Sequence, residues 1–201
     1  NPKTDKSEAL FRSYGRFVQG LAGRYITAED VGSTVRDMEW VRMETDFVTG
    51  ISRALGGSGD PSPVTALGCY EGIKASLKWH TGNESLEGKK VAVQGVGAVG
   101  YHLVQHLTRD GAKVLATDID QENLRRVSTD FRAVELVAPD KIYSVDCDVF
   151  APCALGAVIN DDPVPQLKCA IVAGSANHVL ADEDKHAAAL EKKGVLYAPD
   201  Y

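Results

Sequence analysis

The sequence predicts an α/β protein in which a doubly wound parallel sheet is preceded by a smaller, incomplete α/β unit. Three observations carry that expectation. From Lys90 onward, short apolar runs alternate with stretches of helical periodicity, the pattern of parallel strands covered on both faces. A G-x-G-x-x-G run, Gly95 to Gly100, stands where the first of those strands should meet its helix. Finally, Gly56-Gly57-Ser58-Gly59-Asp60-Pro61 is the strongest break in the chain and reads as a boundary between domains over 1–60 and 61–201.

The elements follow in order. Asp5-Lys6-Ser7-Glu8 has the form of a capping box, with Leu10, Tyr14, Phe17, Val18 and Leu21 at helical spacing behind it. That helix should stop near Gly20 and Gly23, with a short strand over Arg24 to Thr27. Asp30 to Thr34 then turns into a helix reaching about Glu44. After the break, Ser62-Pro63 supplies an N-cap and a first-turn proline, and Ala66, Tyr70, Ile73 and Leu77 mark one buried face as far as His80. Strands are expected at Val91–Gln94, Lys113–Asp118, Val149–Ala151, Ala170–Ala173 and Val195–Tyr197. Between them fall helices that include Gln121–Phe131 and Asp182–Lys193, the latter stopped by Gly194.

Composition narrows the function. The chain has 201 residues, is 44% hydrophobic and 25% charged, and carries a net charge of −6, which suits a globular enzyme or binding module. Scattered basic residues and overall acidity argue against a nucleic-acid surface. No apolar run approaches the roughly 20 residues that span a bilayer, so no membrane partner is expected. Cys69, Cys147, Cys153 and Cys169 form no C-x-x-C pair and read as reduced thiols of a cytoplasmic protein. His102 and His106 share helical spacing but have no third ligand nearby, so no metal is expected. Asn1, which is not an initiator methionine, and Tyr201, which follows an apolar run, read as ends within a longer chain.

The glycine run is informative because of its surroundings. Val91 to Gln94 precedes it as a strand, and Val96, Val99, Gly100, Leu103, Val104 and Leu107 fall on one face of the helix after it. Gly95 permits the tight turn, Gly97 lets a pyrophosphate approach the backbone, and Gly100 lets helix and strand pack closely. The pyrophosphate then meets the free N–H groups and positive dipole at the helix N-terminus, around Val96, Ala98 and Val99. Asp118 ends the next strand about 20 residues on, where an acid accepts from the adenosine ribose hydroxyls, with Ile119 beside it. A 2′-phosphate would face Asp118 and Asp120 with no adjacent arginine, so the expected cofactor is NAD and not NADP.

Further segments resemble a known family. They are Thr27-Ala28-Glu29-Asp30-Val31-Gly32, Thr49-Gly50-Ile51-Ser52, Gly57 to Ala66 with its Pro-Ser-Pro-Val-Thr-Ala core, Phe150-Ala151-Pro152-Cys153-Ala154-Leu155-Gly156, and Tyr197 to Tyr201. With the glycine run, and in the same order over nearly the whole chain, they resemble the glutamate/leucine/phenylalanine/valine dehydrogenases. The most similar branch is that of the leucine and phenylalanine enzymes, with their valine and tryptophan counterparts. The resemblance implies reversible, NAD-dependent oxidative deamination of a branched-chain or aromatic L-amino acid to its 2-oxo acid and ammonia. It also implies a homo-oligomer for the full-length protein.

The resemblance assigns residues as well. Asp30 matches the catalytic aspartate, which works with a lysine of depressed pKa. Thr65 matches a threonine that contacts the nicotinamide amide, and Ala151, Pro152 and Cys153 match the loop beside the nicotinamide ribose, Cys153 through its backbone. Ala28 matches a position in the substrate pocket. Two departures remain. The family's catalytic and carboxylate-binding lysines belong to glycine-rich segments upstream of Asn1, so an NAD-binding module without catalysis stays open as an alternative. And Gly174-Ser175-Ala176-Asn177-His178 carries His178 in the column of a substrate-holding asparagine, leaving the role to either Asn177 or His178.

Overall fold

The computed structural model describes residues 4–199. The chain divides into two compact units, Asn1–Pro61 and Ser62–Tyr201.

The first unit packs two helices, α1 (Glu8–Gly20) and α2 (Val35–Arg42), over a small core of Met38, Val41, Val48 and Ile51. Both helices begin on hydroxyl caps: Ser7 Oγ accepts from Leu10 N at 3.2 Å and Thr34 Oγ1 from Asp37 N at 3.3 Å. The capping box expected from Asp5 is therefore displaced. Ser7 holds the extended cap conformation, which places Glu8 in the first position of the helix, where it cannot reach back to close a box. The buried side of α1 is also rotated from the apolar spacing. Phe11, Tyr14, Gly15 and Val18 face inward, whereas Leu10 and Phe17 are 54% and 68% exposed. Gly15 sets this angle, because a Cβ there would lie 2.7 Å from the Val41 carbonyl oxygen where the helices cross. The strand expected over Arg24 to Thr27 is reduced to one parallel bridge, Thr27 to Val48. Gly23 at φ 83° and the outward Tyr25 and Ile26 leave no run of inward residues to extend a ladder.

The second unit holds a six-stranded, wholly parallel sheet whose strands stand side by side in the order β3 (Glu135–Leu136), β2 (Lys113–Thr117), β1 (Lys90–Gln94), β4 (Val149–Pro152), β5 (Ile171–Ala173) and β6 (Leu196–Ala198). It opens with a long helix, α3 (Ser62–Thr81), in which Ala66, Tyr70, Ile73 and Leu77 are buried. Then come β1 (Lys90–Gln94), α4 (Ala98–Arg109), β2 (Lys113–Thr117) and α5 (Gln121–Asp130). The remaining elements are β3 (Glu135–Leu136), β4 (Val149–Pro152), α6 (Pro163–Gln166), β5 (Ile171–Ala173), α7 (Glu183–Lys192) and β6 (Leu196–Ala198). β3 escapes sequence pattern because it is two exposed residues on one edge, paired only to β2.

Strand alternation builds two cores. Val91 and Val93 point with Val149, Ala151 and Ile171 toward α3, α4 and α5; Ala92, Phe150 and Val172 point the other way, toward α6 and α7. Strand order reverses between β1 and β4, and the crevice at such a reversal is where open α/β sheets bind ligands. His106 is spent on packing: its ring lies on Tyr70 with centroids 5.2 Å apart, and burial lowers its pKa. Among the described residues, no three His, Cys, Asp or Glu side chains gather as a metal site, and no helix is long and apolar enough to cross a membrane.

Candidate functional site

The three glycines of the β1–α4 turn do different work. Gly95 turns the chain at φ 91°, and a Cβ on it would lie 2.8 Å from Ala154. At Gly100 a Cβ would fall 1.9 Å from the Gly95 carbonyl oxygen, so the first turn of α4 can press on the loop only without a side chain. Gly97 has nothing within 4 Å of where its Cβ would be. It is the N-cap of α4 and offers no side chain to cap the helix. The result is an open face of backbone at a positive helix end, the surroundings a pyrophosphate needs.

Asp118 stands behind this turn with a heavily used carboxylate. Oδ2 accepts from Val96 N at 2.9 Å and Asn123 Nδ2 at 3.2 Å, and Oδ1 accepts from Asp120 N at 2.8 Å. Ile119, beside it, is 90% exposed. An arginine that the sequence around the glycine turn does not reveal comes from α5. Arg126 places Nη2 at 3.3 Å from Gly97 O and 3.5 Å from Val96 O, with its guanidinium 4.1 Å above the Tyr101 ring. Helical register brings it there, because Asn123 and Arg126 lie three residues apart on one face of α5. No local spacing from Asp118 singles out either residue, since they lie five and eight positions beyond it and Asp118 is outside the helix.

Across the strand reversal, β4 delivers Ala151, Pro152 and Cys153 to the same edge of the sheet. Cys153 N donates to Gln94 O at 2.7 Å, and Pro152 O accepts from Ser175 N and Ala176 N, both at 3.0 Å. Gly174 makes that approach possible, since a Cβ there would sit 2.1 Å from Pro152 O. The Cys153 thiol has partners that its sequence neighbours do not reveal. Hydrogen bonds from Cys69 and Ser175 hold it below the usual thiol range, while Cys69 is pushed up by donating to Cys153 and by burial. Cys147 and Cys169 form a second such pair, and all four cysteines are free.

Thr65, Cys69, Gly174, Ser175 and Asn177 line one cavity of about 240 Å³. A neighbouring cavity of about 330 Å³ is lined by Asn177, His178, Glu183 and Tyr197. Asn177 thus borders both, whereas His178 borders only the second and adopts a left-handed backbone at φ 50°.

In the first unit, Ala28 and Asp30 are exposed. Asp30 starts a tight turn: its Oδ1 accepts from Val31 N at 2.7 Å, and its carbonyl accepts from Ser33 N and Ser33 Oγ at 2.9 and 2.7 Å. Between them, Glu29 is a titratable group the motif reading passed over. Its Oε2 is buried with no hydrogen-bond partner, and burial, with Asp60 and Asp37 nearby, raises its pKa.

A family model described as "Glutamate/Leucine/Phenylalanine/Valine dehydrogenase" matches residues 56–201, and one described as "Glu/Leu/Phe/Val dehydrogenase, dimerisation domain" matches residues 1–47. Leucine dehydrogenase of Thermoactinomyces intermedius is 60% identical over the whole chain, and phenylalanine dehydrogenase of Lysinibacillus sphaericus is 44% identical. In both cases the chain spans 54% of the relative's length. Among solved structures, L-tryptophan dehydrogenase from Nostoc punctiforme superposes with a TM-score of 0.75 at 41% identity, over 98% of this chain and 55% of that one.

Proposed function

The chain belongs to the glutamate/leucine/phenylalanine/valine dehydrogenase family, and from that premise we propose that the protein carrying it deaminates a branched-chain or aromatic L-amino acid oxidatively and reversibly, with NAD as cofactor. The observation that carries the cofactor reading is the β1–α4 turn. Its outer face is open at Gly97, its glycines are sterically required at Gly95 and Gly100, and a carboxylate stands behind it at Asp118.

Residues 61–201 hold the dinucleotide. The α4 N-terminus takes the pyrophosphate. Asp118 offers its remaining acceptor capacity to ribose hydroxyls, because an ionised carboxylate has about four lone-pair sites and three donors occupy it here. Ile119, exposed beside it, supplies an apolar surface to the adenosine half. Thr65 orients the carboxamide, and the Ala151–Cys153 backbone borders the nicotinamide ribose. When bound there, NAD would supply the acceptor for a hydride from the substrate α-carbon. The resulting imine takes up water and expels ammonia, and those steps need a group to shuttle protons.

Residues 1–60 belong to the substrate domain. Asp30 is the proton-handling group, suited to it by an exposed carboxylate with a single local donor. Ala28 borders the side-chain pocket. Asn177 is the better candidate than His178 for holding substrate, because it shares a cavity with Thr65. The higher identity to a leucine dehydrogenase than to a phenylalanine dehydrogenase favours a branched-chain substrate. The dimerisation-domain match over residues 1–47 supports a homo-oligomer, and the four free thiols suit a cytoplasmic setting.

A screen of the full-length protein with NAD and each of the twenty amino acids tests this reading. Reduced-nicotinamide absorbance should rise with leucine, isoleucine and valine. No rise with any amino acid would refute it.

A further inference from the structure

The cation at the glycine turn comes from outside the motif, and its contacts form a closed set. Arg126 Nη2 reaches the carbonyl oxygens of Val96 and Gly97 at 3.5 and 3.3 Å. Gly97 O also accepts the opening helical bond of α4, from Tyr101 N at 3.1 Å. The guanidinium lies 4.1 Å from the centroid of the ring of that same Tyr101, whose hydroxyl donates to Asp130 Oδ2 at 2.8 Å, one turn beyond Arg126 in α5. The Val96 residue is therefore gripped at both ends, its N–H by Asp118 and its carbonyl by Arg126.

We propose that Arg126 is a positioning residue for the glycine turn, holding Val96 and Gly97 so that the α4 N-terminus faces the cofactor pyrophosphate. This inference rests on the reading of the turn as an NAD site. The turn needs such a tie. Among the described residues, no atom beyond its chain neighbours and its own helix lies within 4 Å of where a Gly97 Cβ would stand, and glycine resists conformational drift less than any other residue. Arginine suits the task because its Nη2 group reaches both neighbouring carbonyls while the planar guanidinium stacks on the aromatic ring. A lysine ammonium could reach the carbonyls but has no plane to stack on the ring. The same contacts add positive charge beside a helix end that already favours anions.

Fluorescence titration of the full-length protein with NADH provides the test, alongside steady-state kinetics and thermal unfolding without ligand. Arg126→Ala should raise the NADH dissociation constant and the KM for NAD about tenfold. Meanwhile kcat at saturating NAD, the amino-acid KM and the unfolding temperature should stay close to wild type. Arg126→Lys should restore only part of the loss, and Tyr101→Phe, which keeps the ring, should bind NADH nearly as wild type does. NADPH affinity should fall in Arg126→Ala by the same factor as NADH affinity. NADH affinity within twofold of wild type in Arg126→Ala would overturn the inference, as would a loss confined to NADPH, which would mark a direct phosphate contact instead. A wild-type protein that fails to bind NADH would overturn the NAD reading itself, an outcome distinct from a wild type that binds and a variant that binds equally well.

Discussion

Asp118 and Asp30 both stand at turns that lead into helices, yet their carboxylates are employed in opposite ways. Asp118 accepts from two backbone N–H groups and one side-chain amide, and it ties the glycine turn to the start of α5. Among the described residues, the Asp30 carboxylate accepts one hydrogen bond, from the N–H of the next residue, and Asp30 is exposed. The first is committed to the geometry of the turn and, in the proposed function, keeps one acceptor site for a ribose hydroxyl. The second has an open carboxylate face, as the proposed general acid–base role requires. A shared residue type at similar turns thus differs in hydrogen-bond count, and that difference is the basis for proposing a positioning role for Asp118 and a proton-handling role for Asp30.

The largest effect should come from Asp30→Asn, which removes the proton acceptor and preserves shape. Turnover should fall by about two orders of magnitude or more, with the NADH dissociation constant within twofold of wild type by fluorescence titration. If turnover survives, Asp30 is a turn residue and the contrast collapses.

A pair of glycine variants sharpens the scaffold side. Gly100→Ala forces a methyl group toward the Gly95 carbonyl oxygen and should destabilise the fold by about 1–3 kcal/mol in urea unfolding. Gly97→Ala meets no protein atom and should leave stability within about 0.5 kcal/mol, while weakening NADH binding because the methyl occupies the open face. Equal stability losses at the two positions would contradict this division of labour.

Asp118→Asn comes next. The amide retains one acceptor but turns an NH2 group toward either the Val96 or the Asp120 N–H, so NADH affinity should fall about tenfold while the amino-acid KM is little changed. Separate measurement of both constants checks this.

The smallest effect concerns Glu29. Burial, reinforced by Asp60 and Asp37, raises its folded-state pKa above the ordinary value of 4.5. The folded state therefore binds this proton more tightly than the unfolded chain does. Its contribution is most favourable below pH 4.5 and declines as pH rises through the raised value. Glu29→Gln should raise the unfolding temperature at pH 7 by on the order of 1 °C and have no such effect near pH 4, as differential scanning calorimetry at the two pH values would show.

The legible parts of the molecule are those in which several periodicities agree. The β1–α4–β2 unit combined a strand run, glycine spacing, a helical apolar face and an acid at the next strand end, and the structure places each where the pattern put it. β3 offered only two exposed residues and no pattern. Around α1 the apolar spacing was real but misleading, because Leu10 and Phe17 stay at the surface while Gly15, invisible to a hydrophobic count, lies at the helix crossing.

By itself, the sequence determined the sheet class, the position of the glycine turn and the family, because these depend on local spacing and on motifs read in order. Tertiary structure alone decided that Ser7 and not Asp5 caps α1, that Cys69 meets Cys153, that Asn177 shares a cavity with Thr65, and that Arg126 reaches the glycine turn. The physical reason is common to the last three. Each joins side chains carried by separate elements, and their meeting depends on strand order and helix register, which no local spacing encodes.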